Sequence, residues 1–220
     1  MQSPSPAPNL TPRPIVLLGP SYARGWQLPA VAGRPVVNKG VSGQESWELL
    51  ERLDRDVIAL QPSAVILWGY INDVFRASRD QMDAALARAR DSVEQMTRKS
   101  QAAGIEVILA SEVFIRAKDD WRETVAAWIG WAMGKESYQD YINGRVAQLN
   151  VWLRQQAAQD RCLLLDLQPV LADASNPRRK DSAADDGSHI SPAGYAALTA
   201  YAVPRLEQHF REAVLKDAPH

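Results

Sequence analysis

The sequence predicts a three-layer α/β/α sandwich built on a mostly parallel five-stranded sheet. Three observations lead there. Short apolar runs recur along the chain, and they are nearly unbroken, as in strands covered on both faces. Between them, apolar residues recur every three or four positions, the helical spacing. Strand alternating with helix favours a parallel sheet joined by right-handed crossovers.

Residues 1–14 read MQSPSPAPNLTPRP, and their prolines suit neither helix nor central strand, so a disordered leader is expected. This leader holds no basic-then-apolar signal. It fits a cytoplasmic chain with a loose end or an exported chain already processed, and the polar spacer tips the reading toward a periplasmic or secreted protein. A single domain is expected over 15–220. Its strands are Ile15–Leu18, a short Val36–Val37, Ala64–Trp68, Val107–Ala110 and Cys162–Leu167. One helical stripe is Trp47, Leu50, Leu53, Val57 and Leu60, and a second is Met82, Leu86, Ala89, Val93 and Met96. Gly104 stands where a helix C-cap is expected. A third stripe is Ile142, Val146, Leu149 and Leu153. The last helix starts at Pro192, with Ser191 as its cap, and runs to about Leu215. Residues 116–141 form an aromatic-rich insertion, longer than an ordinary connection, with Trp121, Trp128, Trp131, Tyr138 and Tyr141.

Composition narrows the function. With 25 basic and 26 acidic residues the net charge is −1, which argues against a nucleic-acid or anionic-membrane coat. No run approaches the roughly 18 apolar residues of a membrane helix. The lone Cys162 excludes an internal disulfide and a cysteine-built metal site. His209 and His220 lack a ligand spacing, so neither metal nor cofactor is expected. His209 reads as part of a solvated helix face; Arg178-Arg179-Lys180 is a candidate contact for an anionic substrate but reads better as a solvated loop.

In an open α/β sheet, chemistry belongs at the carboxyl ends of the strands. His189 lies in Asp185-Asp186-Gly187-Ser188-His189-Ile190-Ser191-Pro192, just before the last helix. Asp186, three residues earlier, can accept from the imidazole and fix its tautomer. A surface turn that caps the helix is an equally good local reading. Ser21 follows the first strand through Gly19-Pro20, and becomes nucleophilic only beside a general base; alone it reads better as a turn serine. Gly43 can offer a backbone N–H, and Asn72 an amide N–H, to a developing oxyanion. Each also has a plain loop reading, as a glycine turn and an asparagine cap.

Together these segments resemble the SGNH hydrolase superfamily, also called the GDSL esterase/lipase family. The blocks are Gly19-Pro20-Ser21, the glycine of Gly40-Val41-Ser42-Gly43, Gly69-Tyr70-Ile71-Asn72-Asp73, and Asp186-Gly187-Ser188-His189 followed by Ile-Ser-Pro-Ala-Gly-Tyr. The resemblance implies a flavodoxin-like topology and a serine ester hydrolase. It makes Ser21 the nucleophile, His189 the base and Asp186 its orienter. Gly43, Asn72 and the Ser21 N–H become the oxyanion hole. Pro20 departs from the family's Asp, and one extra residue separates Gly69 from Asn72.

The expected substrate is a small-molecule or carbohydrate ester with a short acyl or acetyl group. Trp121, Trp128 and Trp131 are candidate substrate-binding residues, though an aromatic stripe is more often core. A sugar O-acetyltransferase and a weakly catalytic carbohydrate-binding or assembly module are the alternatives on this scaffold. A flavodoxin-like cofactor binder would leave the Asp-x-x-His unit without a role.

Overall fold

The protein is described here by a computed structural model covering residues 12–116, 136–174 and 176–216. Five parallel strands form one sheet: β1 (Ile15–Gly19), β2 (Val36–Gly40), β3 (Ala64–Leu67), β4 (Glu106–Ala110) and β5 (Leu163–Leu165). Their order is β2-β1-β3-β4-β5, the flavodoxin-like arrangement. Register is set by pairs such as Ile15 with Val36 and Ala64, and Ile108 with Leu163. Ile15 to Leu18 and Ala64 to Ile66 are fully buried, as strands covered on both faces must be. Each Val, Leu or Ile side chain among them contributes roughly 1.5–3 kcal/mol of burial.

The connections leave β1 in one direction to β2 and return past it to β3. That reversal opens a crevice at the carboxyl ends of β1 and β3. Two long helices, α5 (Met82–Ala102) and α6 (Tyr138–Gln159), pack together, α5 against β4 and α6 against β5. Their buried residues include the predicted stripes from Met82 to Met96 and from Ile142 to Leu153. Gly104 ends α5 as expected, with its N–H on Gln101 O at 2.9 Å and the Ile105 N–H on Ser100 O at 3.0 Å. The last helix, α7 (Pro192–Lys216), buries Leu198, Ala202, Leu206 and Phe210 in the same core. Ser191 caps it, its Oγ accepting from the Gly194 N–H at 3.0 Å.

The stripe from Trp47 to Leu60 departs from the expected single helix. It is divided into α2 (Ser46–Glu51), α3 (Leu53–Asp56) and a 3₁₀ turn over Ile58–Leu60. Leu49, Leu53 and Val57 point inward, while Trp47 and Leu60 are exposed. The break falls at Arg52, whose buried guanidinium turns toward the strand ends. It donates to Gly19 O, Lys39 O, Gln44 Oε1 and Asp56 Oδ2. Satisfying those carbonyls outweighs one more helical turn.

Two helices have no apolar stripe to announce them. The one-turn α1 (Ser21–Gly25) follows β1, and α4 (Ile71–Arg76) follows β3. Among the described residues no helix is long and apolar enough to cross a membrane.

Candidate active site

Ser21 is the first residue of α1, half-buried just past the carboxyl end of β1. Pro20 takes the capping position, and its carbonyl accepts the first helical bond from the Arg24 N–H at 3.0 Å. Gly19 is required by close approach: a Cβ there would lie 2.1 Å from Trp68 O.

Gly43 turns the chain between β2 and α2 with φ of +81°, a region that favours glycine. The Asn72 amide donates from Nδ2 to Gln44 O at 2.8 Å, which brings it beside the Gly43 turn. A Cβ on Gly69 would sit 3.1 Å from Pro20 Cδ, so the turn after β3 abuts the one that presents Ser21. Tyr70, between Gly69 and Asn72, is buried at the start of α4 and hydrogen-bonds Asn150 Oδ1.

Asp186 and His189 are paired. Asp186 Oδ2 meets His189 Nδ1, and its Oδ1 accepts the Ser188 and His189 main-chain N–H groups at 2.9 and 2.8 Å. Partial burial pushes the Asp186 carboxyl up, but the side-chain and main-chain bonds from His189 outweigh it and hold the group at about 2. The carboxylate therefore stays charged and orients the ring, leaving Nε2 for proton transfer. Tyr22, next to Ser21, ties the two segments together. Its hydroxyl donates to Ser188 O at 2.7 Å, and its ring meets that of His189 edge-on at 6.1 Å. The His189 ring bonds Asp186 and approaches Ser188 Oγ at 3.5 Å, and no hydrogen bond joins it to Ser21. Such contacts commonly close only around substrate.

Three buried charged residues support this region, and the sequence pointed to none of them as a support. Glu112, in the segment after β4, accepts the Tyr70 and Ile71 N–H groups at 2.9 and 3.2 Å and so anchors the start of α4. Burial pushes its carboxyl up to about 7 against those bonds. The Trp68 indole faces the same carboxyl without completing a hydrogen bond. Asp73 accepts the Ser46 N–H and hydroxyl, both at 2.8 Å, and ties α4 to the segment after Gly43. Burial raises it to about 6, although the Ser46 bonds favour the charged form. Arg178, expected on a solvated loop, is instead 1% exposed and packs beneath the Asp186–His189 turn. The reason is a ring of main-chain carbonyls there that only a long, multiple donor can reach.

The other expectations fall elsewhere. Trp121, Trp128 and Trp131 lie outside the described residues, as does His220. Of the remaining insertion aromatics, Tyr141 is buried and Tyr138 is exposed, both on α6. His209 is half-buried against Glu106 at the amino end of the sheet, away from the strand ends that carry Ser21 and Asn72. No group of three or more metal-ligating His, Cys, Asp or Glu side chains occurs among the described residues.

Comparison with known proteins finds the same fold elsewhere. A GDSL-like lipase from Bacteroides thetaiotaomicron is 21% identical, with a TM-score of 0.66 over 90% of this chain and 89% of its own. An acetylxylan esterase from Geobacillus stearothermophilus is 19% identical, with a TM-score of 0.66 over 88% of this chain and 94% of its own. A lipase/acylhydrolase from Enterococcus faecalis is 21% identical, with a TM-score of 0.63 over 90% and 96%. At these identities the likeness shows a shared fold. No curated protein sequence matches the chain. The family model of the GDSL-like lipases and acylhydrolases, however, matches residues 18–197, most of the length and a span that contains all four motif blocks. On that match the chain belongs to the GDSL-like lipase/acylhydrolase family of ester-hydrolysing enzymes.

Proposed function

We propose that the protein is a serine esterase that hydrolyses short-acyl carboxylic esters through an acyl-enzyme on Ser21. The observation that carries this reading is the Asp186–His189 pair held against Tyr22, the residue after Ser21. His189 takes the Ser21 proton as Oγ attacks the ester carbonyl. The Ser21 and Gly43 N–H groups and the Asn72 amide hold the tetrahedral oxyanion. His189 returns the proton to the departing alcohol. It then takes a proton from water, which attacks the acyl-enzyme, and passes that proton to Ser21 Oγ as the acid leaves.

The acetylxylan esterase among the fold relatives supports acetylated carbohydrate as the first natural substrate class to assay. The direct test is hydrolysis of p-nitrophenyl acetate and butyrate by the wild type and by Ser21→Ala. Loss of activity in the variant is the expected result, with acetate favoured over butyrate. Activity that survives in Ser21→Ala overturns the reading.

A further inference from the structure

Arg178 is an unusual residue to find inside a protein. Its side chain is among the largest that are fully buried. Among the described residues no carboxylate forms an ion pair with it, and its Nε has no partner. A buried charge with no carboxylate in contact is costly, even with the Asp186 charge acting on it from a distance. If only the volume mattered, an apolar side chain would fill it at lower cost.

The guanidinium instead donates to four main-chain carbonyls from three segments. Nη1 reaches Phe114 O at 2.7 Å and Ser188 O at 3.2 Å. Nη2 reaches Ser182 O at 3.0 Å and His189 O at 2.6 Å. Phe114 belongs to the segment after β4, so the His189 loop is tied to the sheet from below. Ser188 O is shared with the Tyr22 hydroxyl, which ties the same loop to α1 and Ser21. Ser188 and His189 are also the two residues whose N–H groups bind Asp186. One planar fork thus contacts both peptides that flank the His189 Cα, one of which also binds Asp186 through its N–H.

We propose that Arg178 is a positioning residue for the hydrolysis, holding the His189 main chain so that the imidazole meets Ser21 and substrate. The proposal rests on the serine-esterase reading above. A loop freed by about 1 Å can lose on the order of 10² in rate.

The test compares the wild type with Arg178→Met, which fills the volume without a donor, and Arg178→Lys, which keeps the charge without the fork. The quantity read is kcat for p-nitrophenyl acetate per Ser21 titrated by an organophosphonate, which removes misfolded enzyme from the count. Arg178→Met should lose about 100-fold in kcat with KM changed less than about twofold, and Arg178→Lys should recover part of that loss. A lower melting temperature with wild-type kcat per titrated site overturns the proposal and leaves Arg178 a structural residue. Should Arg178→Met fail to fold, Arg178→Lys decides: about a tenfold loss in kcat supports positioning, and full kcat refutes it. Ser21→Ala runs beside them. If it keeps activity, the esterase reading and this proposal fall together, whereas an inert Ser21→Ala beside a fully active Arg178→Met overturns only the role of Arg178.

Discussion

Glu112→Gln should alter how stability depends on pH. The carboxyl is fully buried, and burial raises its pKa from 4.5 to about 7 despite the N–H bonds from Tyr70 and Ile71. Between those values the folded protein holds a proton that the unfolded chain has released. Stability linked to Glu112 is therefore fully present below about pH 4.5, falls as pH rises, and is lost above about pH 7. The interval from 4.5 to about 7, at about 1.4 kcal/mol per pH unit, corresponds to about 3 kcal/mol. A glutamine keeps an oxygen to accept from Tyr70 and Ile71 but cannot ionise. Urea unfolding followed by tryptophan fluorescence, repeated across this interval, gives the two stability curves. The variant should gain about 3 kcal/mol on the wild type from the acid end to the neutral end. Asp73, raised to about 6 by burial, loses stability over a neighbouring interval with the same sign. It is present in both proteins and largely subtracts out. Parallel curves would refute the reasoning, because Glu112 would then ionise in the folded protein as easily as in the unfolded chain.

Three further outcomes follow from the site. Asn72→Ala should lower kcat for p-nitrophenyl acetate on the order of 10²–10³ with a smaller change in KM, measured by steady-state kinetics. Gly43→Ala forces a side chain into the left-handed region, with its Cβ 3.2 Å from Arg76 Nη2, and should cost about 1–2 kcal/mol in urea unfolding as well as lowering kcat. In His189→Ala the Asp186 carboxyl loses its imidazole partner, and its pKa should move up from about 2, followed by carbon NMR titration. A carboxyl left unmoved would show that the backbone N–H groups of Ser188 and His189 alone hold it down.

The fold was legible because its strands are buried on both faces. Such strands leave nearly unbroken apolar runs, and those from Ile15 and Ala64 match β1 and β3 closely. The long helices were legible because each buries one stripe, as from Met82 to Met96. Periodicity failed at Trp47 to Leu60, where the competing force was polar. Arg52 leaves the helical path to satisfy carbonyls at the ends of β1 and β2, and no apolar pattern records that. The helices α1 and α4 escaped notice for a related reason. Each is only a turn or so long, held by its position at a strand end and not by a stripe of its own.

The site divides along the same line. Ser21, Gly43, Asn72, Asp186 and His189 could be singled out because they stand next to strand or helix ends and their residue types suit a nucleophile, a base with its orienter, and oxyanion donors. Their supports could not. Arg, Glu and Asp are almost never fully buried, so a sequence reader assigns them to the surface by default. Arg178 was lost among three consecutive basic residues, and Glu112 followed a strand with no partner in view. What buries them is the fold itself. The β4 end sets Glu112 under the free N–H groups of α4, and the His189 loop turns four carbonyls toward Arg178. A charged side chain is retained inside because backbone groups at that site need a partner that water cannot reach. Loops that carry reacting groups leave many such backbone groups unpaired, since they belong to neither helix nor strand. Buried charges gathered beneath those loops are therefore a consequence of building a reactive site from irregular chain, which makes Arg178 and Glu112 the positions where substitution should separate catalytic geometry from folding.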